Sequence, residues 1–281
     1  MTTTAQSFVY TLPTLPKATA EDCARAAQLL QERTGIVLGA HKEDMIARSL
    51  GLRAKHLHLA TVKQYLDHLA YNVQADEWDN FINTFTINHT AFFRERHHFD
   101  VLGEFVATRA KPIAVWSSAA STGEEAYSIA MTLRESIPNV DVQVSVLASD
   151  VDTAAIAKAK QGIYGMDRVM PVPEPLLKKY FQRGKGAFTG RVRVKPALRE
   201  LIDFQVVNLI STQNWPEQQK FDAIFCRNTM IYFERETQIK LLNRFAQQMK
   251  PGALLFVGHS ENISQLSTAF RLKGQTVYVR V

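Results

Sequence analysis

The sequence predicts a doubly wound α/β domain with a mostly parallel sheet, an antiparallel edge hairpin and a small β excursion, preceded by an all-helical domain. Three observations carry this reading. Past residue 110, short apolar runs alternate with amphipathic helical segments, the pattern of a parallel sheet covered on both faces. Residues 20–87 show helical spacing alone. The C-terminal string AFRLKGQTVYVRV reads as two strands with Lys273 and Gly274 near their turn.

Taken in order, residues 1–18 form a tail in which Pro13 and Pro16 break any regular pattern. EDCARAAQLLQERTG places Cys23, Ala26, Ala27 and Leu30 at helical spacing and stops at Gly35. KEDMIARSLGLRAKHLHL repeats apolar residues at Met45, Ile46, Leu50, Leu52 and Leu57. TVKQYLDHLAYN, capped by Thr61, and ADEWDNFINTFTIN complete a helical domain over 19–87. Residues 88–110 are a linker and helix. In the α/β domain, 111–281, strands are expected at Ile113–Ser117, Val142–Ser149, Asp203–Leu209, Phe221–Cys226 and Ala253–Gly258. Helices fill 123–136, 152–160 and 235–249. RGKGAFTGRVRV, at about 180–200, is a β excursion with glycine turns.

The net charge of +6 favours acidic partners, among them nucleic acid, anionic lipid or an acidic protein surface, without choosing between them. The N-terminal residues lack a basic region followed by an apolar core, and no apolar run approaches the ~20 residues that span a bilayer, so a cytoplasmic protein without membrane insertion is expected. Cys23 and Cys226 fall in different domains, without metal-ligand spacing. His97 and His98, adjacent on a helix, are expected to point apart, and no metal is expected.

In a doubly wound sheet, ligands lie at the carboxyl ends of the strands. Those ends carry polar residues: the turn VWSSAASTGEEAY after the first strand, Asp150 after the second, Asn208 after the third, Arg227 and Asn228 after the fourth. Asp150 is placed to accept hydrogen bonds from both hydroxyls of a ribose, or else to cap the helix beginning near Asp152. The turn has one glycine, Gly123, followed by Glu124 and Glu125. A dinucleotide pyrophosphate wants three glycines and a helix start free of negative charge. Carboxylates instead suit S-adenosylmethionine, which has no phosphate and carries an ammonium and a sulfonium. Glu125 is the candidate contact; Glu124 reads as a complement to the helix dipole. Upstream, NHTAFFRERHHF brings Asn88, Thr90 and Arg94 within range of the same place, and Phe92, Phe93 and Phe99 offer apolar anchoring or plain core.

These strings, with STGEEAYSIA, LASDVD, VVNL, FDAIFCRNTMIYF and LLFVGHSEN in order and at similar spacing, closely resemble the CheR family of chemoreceptor glutamate O-methyltransferases. The resemblance covers nearly the whole chain past the tail. It implies a helical N-terminal domain, a Rossmann-like methyltransferase domain with a β-subdomain, and methyl transfer from S-adenosylmethionine to glutamates on the cytoplasmic helices of methyl-accepting chemoreceptors, so recruitment to receptor arrays. It implies cofactor contacts from Asn88, Thr90, Arg94, Glu125, Asp150, Asn208, Leu209, Arg227 and Asn228, and places Arg94 and Tyr232 nearest the transferred methyl. The sequence departs from the family at Ala120, where a cysteine is common, and at Ala126, where a proline often follows the glutamates.

Two rivals stand beside it. A nucleic-acid methyltransferase would use a D/N-P-P-Y/F motif where this chain reads CRNTMIY, or a cysteine nucleophile, for which Cys226 is the candidate; no nucleic-acid partner is expected. A cofactor-responsive adaptor would not need Arg94, Glu125, Asp150 and Tyr232 together. Arg48, Arg53 and Lys55 share one helical segment and face either the acidic receptor helices or solvent. The β excursion resembles the subdomain that in some members pairs with a tethering peptide at the receptor C-terminus.

Overall fold

A computed structural model describes residues 15–72, 76–216 and 218–281. The first 14 residues of the expected tail lie outside these. The chain divides into two compact units, one holding residues up to Leu29 together with Leu38–Phe81, the other Leu30–Val37 with Ile82–Val281.

The first unit is helical. It draws on α1 (Ala20–Thr34), α2 (Glu43–His56), α3 (Val62–Tyr71) and the start of α4 (Glu77–Phe85). Thr61 caps α3 in a reciprocal capping box with Gln64, satisfying two otherwise orphaned N–H groups. Of the apolar stripe read on α2, Ile46 and Leu50 are buried with Ala54, whereas Met45 and Leu52 face solvent. Residues spaced by three or four stay on one helical face, and Ile46, Leu50 and Ala54 are spaced by four. Arg53 departs from the expectation of a receptor-facing or solvated cation. It donates to both oxygens of buried Glu77, at 2.8 and 2.5 Å, and Tyr65 donates to the same carboxylate at 2.9 Å. The bidentate pair draws the guanidinium into the unit.

The second unit is the α/β domain. After α5 (His97–Ala107), the chain runs through β1 (Ile113–Ser117), α6 (Glu124–Ser136), β2 (Val144–Asp150) and α7 (Thr153–Gln161). It continues through β3 (Ile163–Gly165), α8 (Glu174–Tyr180), β4 (Phe181–Arg183), β5 (Arg191–Val194) and α9 (Pro196–Arg199). It closes with β6 (Ile202–Val206), β7 (Phe221–Cys226), α10 (Arg235–Gln248), β8 (Met249–Val257), β9 (Phe270–Gly274) and β10 (Val277–Arg280). The main sheet has the order β6-β2-β1-β7-β8-β10-β9; its first five strands are parallel and the C-terminal hairpin closes it antiparallel. Strand order reverses at β1, so the crevice between the ends of β1 and β7 is the switch point at which such sheets bind ligands. Two apolar clusters line opposite faces of the sheet, one against α5 and α6 and one around Trp116, Phe221 and Phe245.

The β excursion is a three-stranded antiparallel sheet of order β3-β5-β4. Its first strand lies upstream of the segment read from the sequence, because three residues bounded by a helix carry no visible alternation. The third parallel strand ends at Val206 rather than Leu209: Val207 N–H still bonds the carbonyl of Asp150 on β2, and the residues after it form the loop. No described helix is long and apolar enough to cross a membrane.

Candidate cofactor and methyl-transfer site

Gly123 sits at the helix start with φ +98°, and a Cβ there would lie 2.8 Å from Ala159 Cβ and 2.9 Å from the Tyr164 hydroxyl. Its role is close packing of helix against neighbouring structure as much as the turn itself. Ala126, where the family often has a rigid proline, is fully buried in α6 and is held by packing. The two glutamates that follow the glycine diverge. Glu125 is buried; it accepts from Ser117 Oγ at 2.7 Å and pairs with Arg227 Nη1 at 3.1 Å. Burial pushes its carboxyl up, and Arg227 opposes the shift. Glu124, read from sequence as a dipole complement, is fully buried. It accepts from Thr122 Oγ1 at 2.6 Å and is paired with Arg168, which also donates to the carbonyl of Thr90 at 2.9 Å. That arginine ties the linker to the α6 start.

Arg227 is the hub of the site. Its side chain is 2% exposed and reaches Glu125, Glu95 Oε2 at 3.2 Å and the carbonyl of Arg94. Two carboxylates thus share one guanidinium, and Glu95 Oε2, Arg227 Nε and the neighbouring His98 Nδ1 are buried without hydrogen-bond partners. Arg94 donates to the carbonyl of His89 at 2.9 Å and adds a second positive charge near Glu125. His97 and His98 do not point apart. Their rings are 4.1 Å apart and both reach the carbonyl of Gln275, which draws the two imidazoles to one acceptor. Among the described residues no group of three or more His, Cys, Asp or Glu has a geometry to hold a metal.

Asp150 accepts from Ser121 N at 2.8 Å and Asp152 N at 3.0 Å, one bond to each oxygen. Each oxygen keeps a second lone pair. Burial pushes its carboxyl up to about 6. The helix cap is Asp152, whose Oδ1 accepts from Ala155 N at 2.8 Å. Its other oxygen accepts from Thr86 and, at 2.7 Å, from Asn88 Nδ2, while Asn88 Oδ1 accepts from Ser121 Oγ at 2.7 Å. Asn88 therefore stands one residue away from the Asp150 carboxylate. Phe92 anchors the linker in the core, edge-on to Tyr164 and Phe181. Phe99 is buried, and Phe93 is half-buried against it. The left-handed φ of Phe93, Glu95, Ser121 and Asn228 concentrates backbone strain around the crevice.

Asp150, Asn208, Leu209 and Tyr232 line one cleft with Ser118 and Thr229. The amide of Asn208 holds its own surroundings, donating to the carbonyl of Arg33 at 2.6 Å and accepting from Ile210 N at 3.1 Å. Tyr232 is half-buried on a 3-10 turn, and its carbonyl accepts from Val37 N at 2.8 Å. Cys226 is fully buried and its thiol is pushed well up by that burial, the condition of a packed side chain and not of a nucleophile. A residue with no role read from the sequence closes the turn: Glu261 accepts from the backbone N–H of Gly258, Asn228, Thr229 and Ile231.

The residues fit S-adenosylmethionine. Spare carboxylate lone pairs at Asp150 suit a ribose, and the buried carboxylate of Glu125, whose burial-driven shift Arg227 and Arg94 oppose, suits an ammonium or sulfonium.

Two family models match consecutive parts of the chain: "CheR methyltransferase, all-alpha domain" over residues 21–86 and "CheR methyltransferase, SAM binding domain" over 88–279. The chemotaxis protein methyltransferase of Escherichia coli strain K12 is 46% identical over 254 residues, 90% of this chain and 88% of that one. The chemotaxis protein methyltransferase of Salmonella typhimurium strain LT2 is 47% identical over 90% of this chain and 88% of its own. Chemotaxis protein methyltransferase 2 of Pseudomonas aeruginosa is 42% identical over 92% and 93%. With both domains matched and this identity sustained along the chain, the protein belongs to the CheR methyltransferase family and binds S-adenosylmethionine in its α/β domain.

Proposed function

We propose that this protein transfers the methyl group of S-adenosylmethionine to glutamate side chains on the cytoplasmic helices of methyl-accepting chemoreceptors, giving methyl esters and S-adenosylhomocysteine. The observation that carries the reading is sustained identity to proteins named chemotaxis methyltransferases over about nine-tenths of both chains. The helical unit makes the receptor-facing part, the linker and helix over 88–110 contribute to the cofactor site, and 111–281 is the methyltransferase part.

When bound, the cofactor supplies an electrophilic methyl on a sulfonium. Asp150 receives the ribose hydroxyls on its spare lone pairs, with Asn88 holding the adjoining turn. Glu125, half-neutralised by Arg227, faces the cationic amino-acid end. Asn208, Leu209, Asn228 and Thr90 close the remaining walls. An acceptor glutamate, with an ordinary pKa of about 4.3, is already anionic at neutral pH and needs no base. What the protein must supply is alignment, which is worth on the order of 7–11 kcal/mol in well-oriented reactions. Arg94 orients carboxylate charge near the reacting centre, and Tyr232, half-buried at the cleft, shapes the acceptor side.

The small sheet offers a second contact. Gln182, Arg183, Gly184, Lys185, Phe188 and Arg191 line a groove beside the β4 edge, a setting for an added strand from a receptor C-terminal segment carrying negative charge. The test is transfer of labelled methyl to receptor-containing membranes followed by mild alkali. Release of volatile methanol identifies a carboxyl ester. Stable label, or none from a protein that binds S-adenosylhomocysteine, contradicts the glutamate reading.

A further inference from the structure

The turn that leaves β7 carries Tyr232, which lines the cleft, and Asn228, read above as a cofactor contact, and it is not self-supporting. Asn228 adopts a left-handed φ of +55°, a conformation that costs a non-glycine residue energy unless its surroundings hold it. The N–H groups of Asn228, Thr229 and Ile231 point away from any strand or helix ladder, and a buried N–H needs an acceptor. One side chain meets all three. Glu261, 5% exposed, accepts from Asn228 N at 2.9 Å and Gly258 N at 2.6 Å on one oxygen, and from Thr229 N at 2.8 Å and Ile231 N at 3.3 Å on the other. A second observation shows the two turns built to touch: a Cβ on Gly258 would lie 2.3 Å from Asn228 Nδ2 and 2.8 Å from Asn228 N.

We propose that Glu261 is a positioning residue: its carboxylate holds the turn after β7 in the shape that presents Asn228 to the cofactor and Tyr232 to the acceptor. The assignment of Tyr232 rests on the methyl-transfer reading above; the hold on Asn228 bears on cofactor binding alone. A carboxylate is required because both oxygens accept twice. Glutamine keeps the shape but turns one oxygen into a donor facing two N–H groups, which strands both.

The experiment compares the full-length protein with Glu261→Gln, reading amide hydrogen exchange, S-adenosylhomocysteine affinity and kcat against KM for receptor membranes. The expected result is faster exchange at Asn228, Thr229 and Ile231, affinity weakened by about tenfold or more, and kcat lowered more than the receptor KM is raised. Tyr232→Phe, added to Glu261→Gln, should then cost less than it costs the parent, because the tyrosine is already misplaced. Unchanged cofactor affinity, or losses in the double variant that simply multiply, overturns the proposal. Should the parent methylate no receptor, the methyl-transfer reading falls, and the cofactor affinity of Glu261→Gln alone decides for or against Glu261. If Glu261→Gln does not fold, Gly258→Ala takes its place, since it presses a methyl on the same amide: the same losses are expected of it, and unchanged cofactor affinity overturns the proposal in the same way.

Discussion

Arg53 and Arg227 are both drawn out of water against glutamates, one in each compact unit, yet the clusters around them differ in completeness. In the helical unit one guanidinium meets one carboxylate on two parallel bonds, with Tyr65 and Asn80 donating to the same glutamate. Burial pushes the Glu77 carboxyl up, and these donors more than offset it, leaving the group below its ordinary value. At the crevice of the α/β domain, Arg227 is divided between Glu125 and Glu95, and three polar atoms of the cluster are buried without hydrogen-bond partners. The first arrangement is finished and serves folding. The second leaves buried polar atoms unsatisfied at the crevice, at a cost in stability that functional sites commonly carry.

The largest effect is expected from breaking the incomplete cluster. Arg227→Met strands Glu125 in a buried site and should destabilise the protein by about 3–5 kcal/mol while abolishing measurable cofactor binding. Denaturant unfolding and calorimetric titration check the two halves. Arg53→Met should cost less, about 1–3 kcal/mol, because Arg53 keeps some solvent contact, and should leave S-adenosylhomocysteine affinity unchanged. A loss of cofactor affinity in that variant would erase the contrast. Charge reversal at Arg53 is a folding perturbation before it is a receptor-docking one, since it places another acidic group beside Glu77.

Asp150 sharpens the comparison through pH. Its folded carboxyl sits at about 6 against the ordinary 3.8, so the folded apoprotein binds more protons than the unfolded chain between those values. That contribution to stability is present below about pH 4 and is lost as pH rises through about 6. Ribose binding has the opposite preference, because the ionised carboxylate is the better acceptor. S-adenosylhomocysteine affinity should therefore weaken as pH falls below about 6, and Asp150→Asn should bind weakly at every pH with that dependence gone. Calorimetry on either side of that value is expected to show it. The smallest effect is expected at the α3 cap: Thr61→Ala should lower stability by about 1 kcal/mol with no change in methyl transfer.

Much of this is legible in the sequence because it is local. Apolar strands ending in a polar residue locate the crevice, and two strands, Ile113–Ser117 and Phe221–Cys226, fall where the alternation places them. A lone glycine before two glutamates points away from a pyrophosphate. What is not legible is pairing at a distance. Glu124 looks like its neighbour's redundant twin until Arg168, beyond α7, is found beside it. Arg53 looks like a surface cation because Glu77 lies 24 positions away. Glu261 stands inside GHSEN without a role, since a carboxylate that serves backbone N–H groups leaves no charged partner in the sequence to betray it. The sequence leaves Asp150 between a ribose acceptor and a helix cap; in the fold, the acid two residues on takes the cap.

The central proposal is that the site divides its work between Asp150, a carboxylate for the ribose, and Glu125, a carboxylate for the cationic tail. The most direct measurement is titration of the parent, Glu125→Gln and Asp150→Asn with S-adenosylhomocysteine and with 5′-methylthioadenosine, which keeps the nucleoside but lacks the ammonium. The account predicts that Glu125→Gln weakens S-adenosylhomocysteine by about tenfold or more and leaves 5′-methylthioadenosine unaffected, whereas Asp150→Asn weakens both. Equal losses of both ligands in Glu125→Gln, or no loss of either, would contradict it.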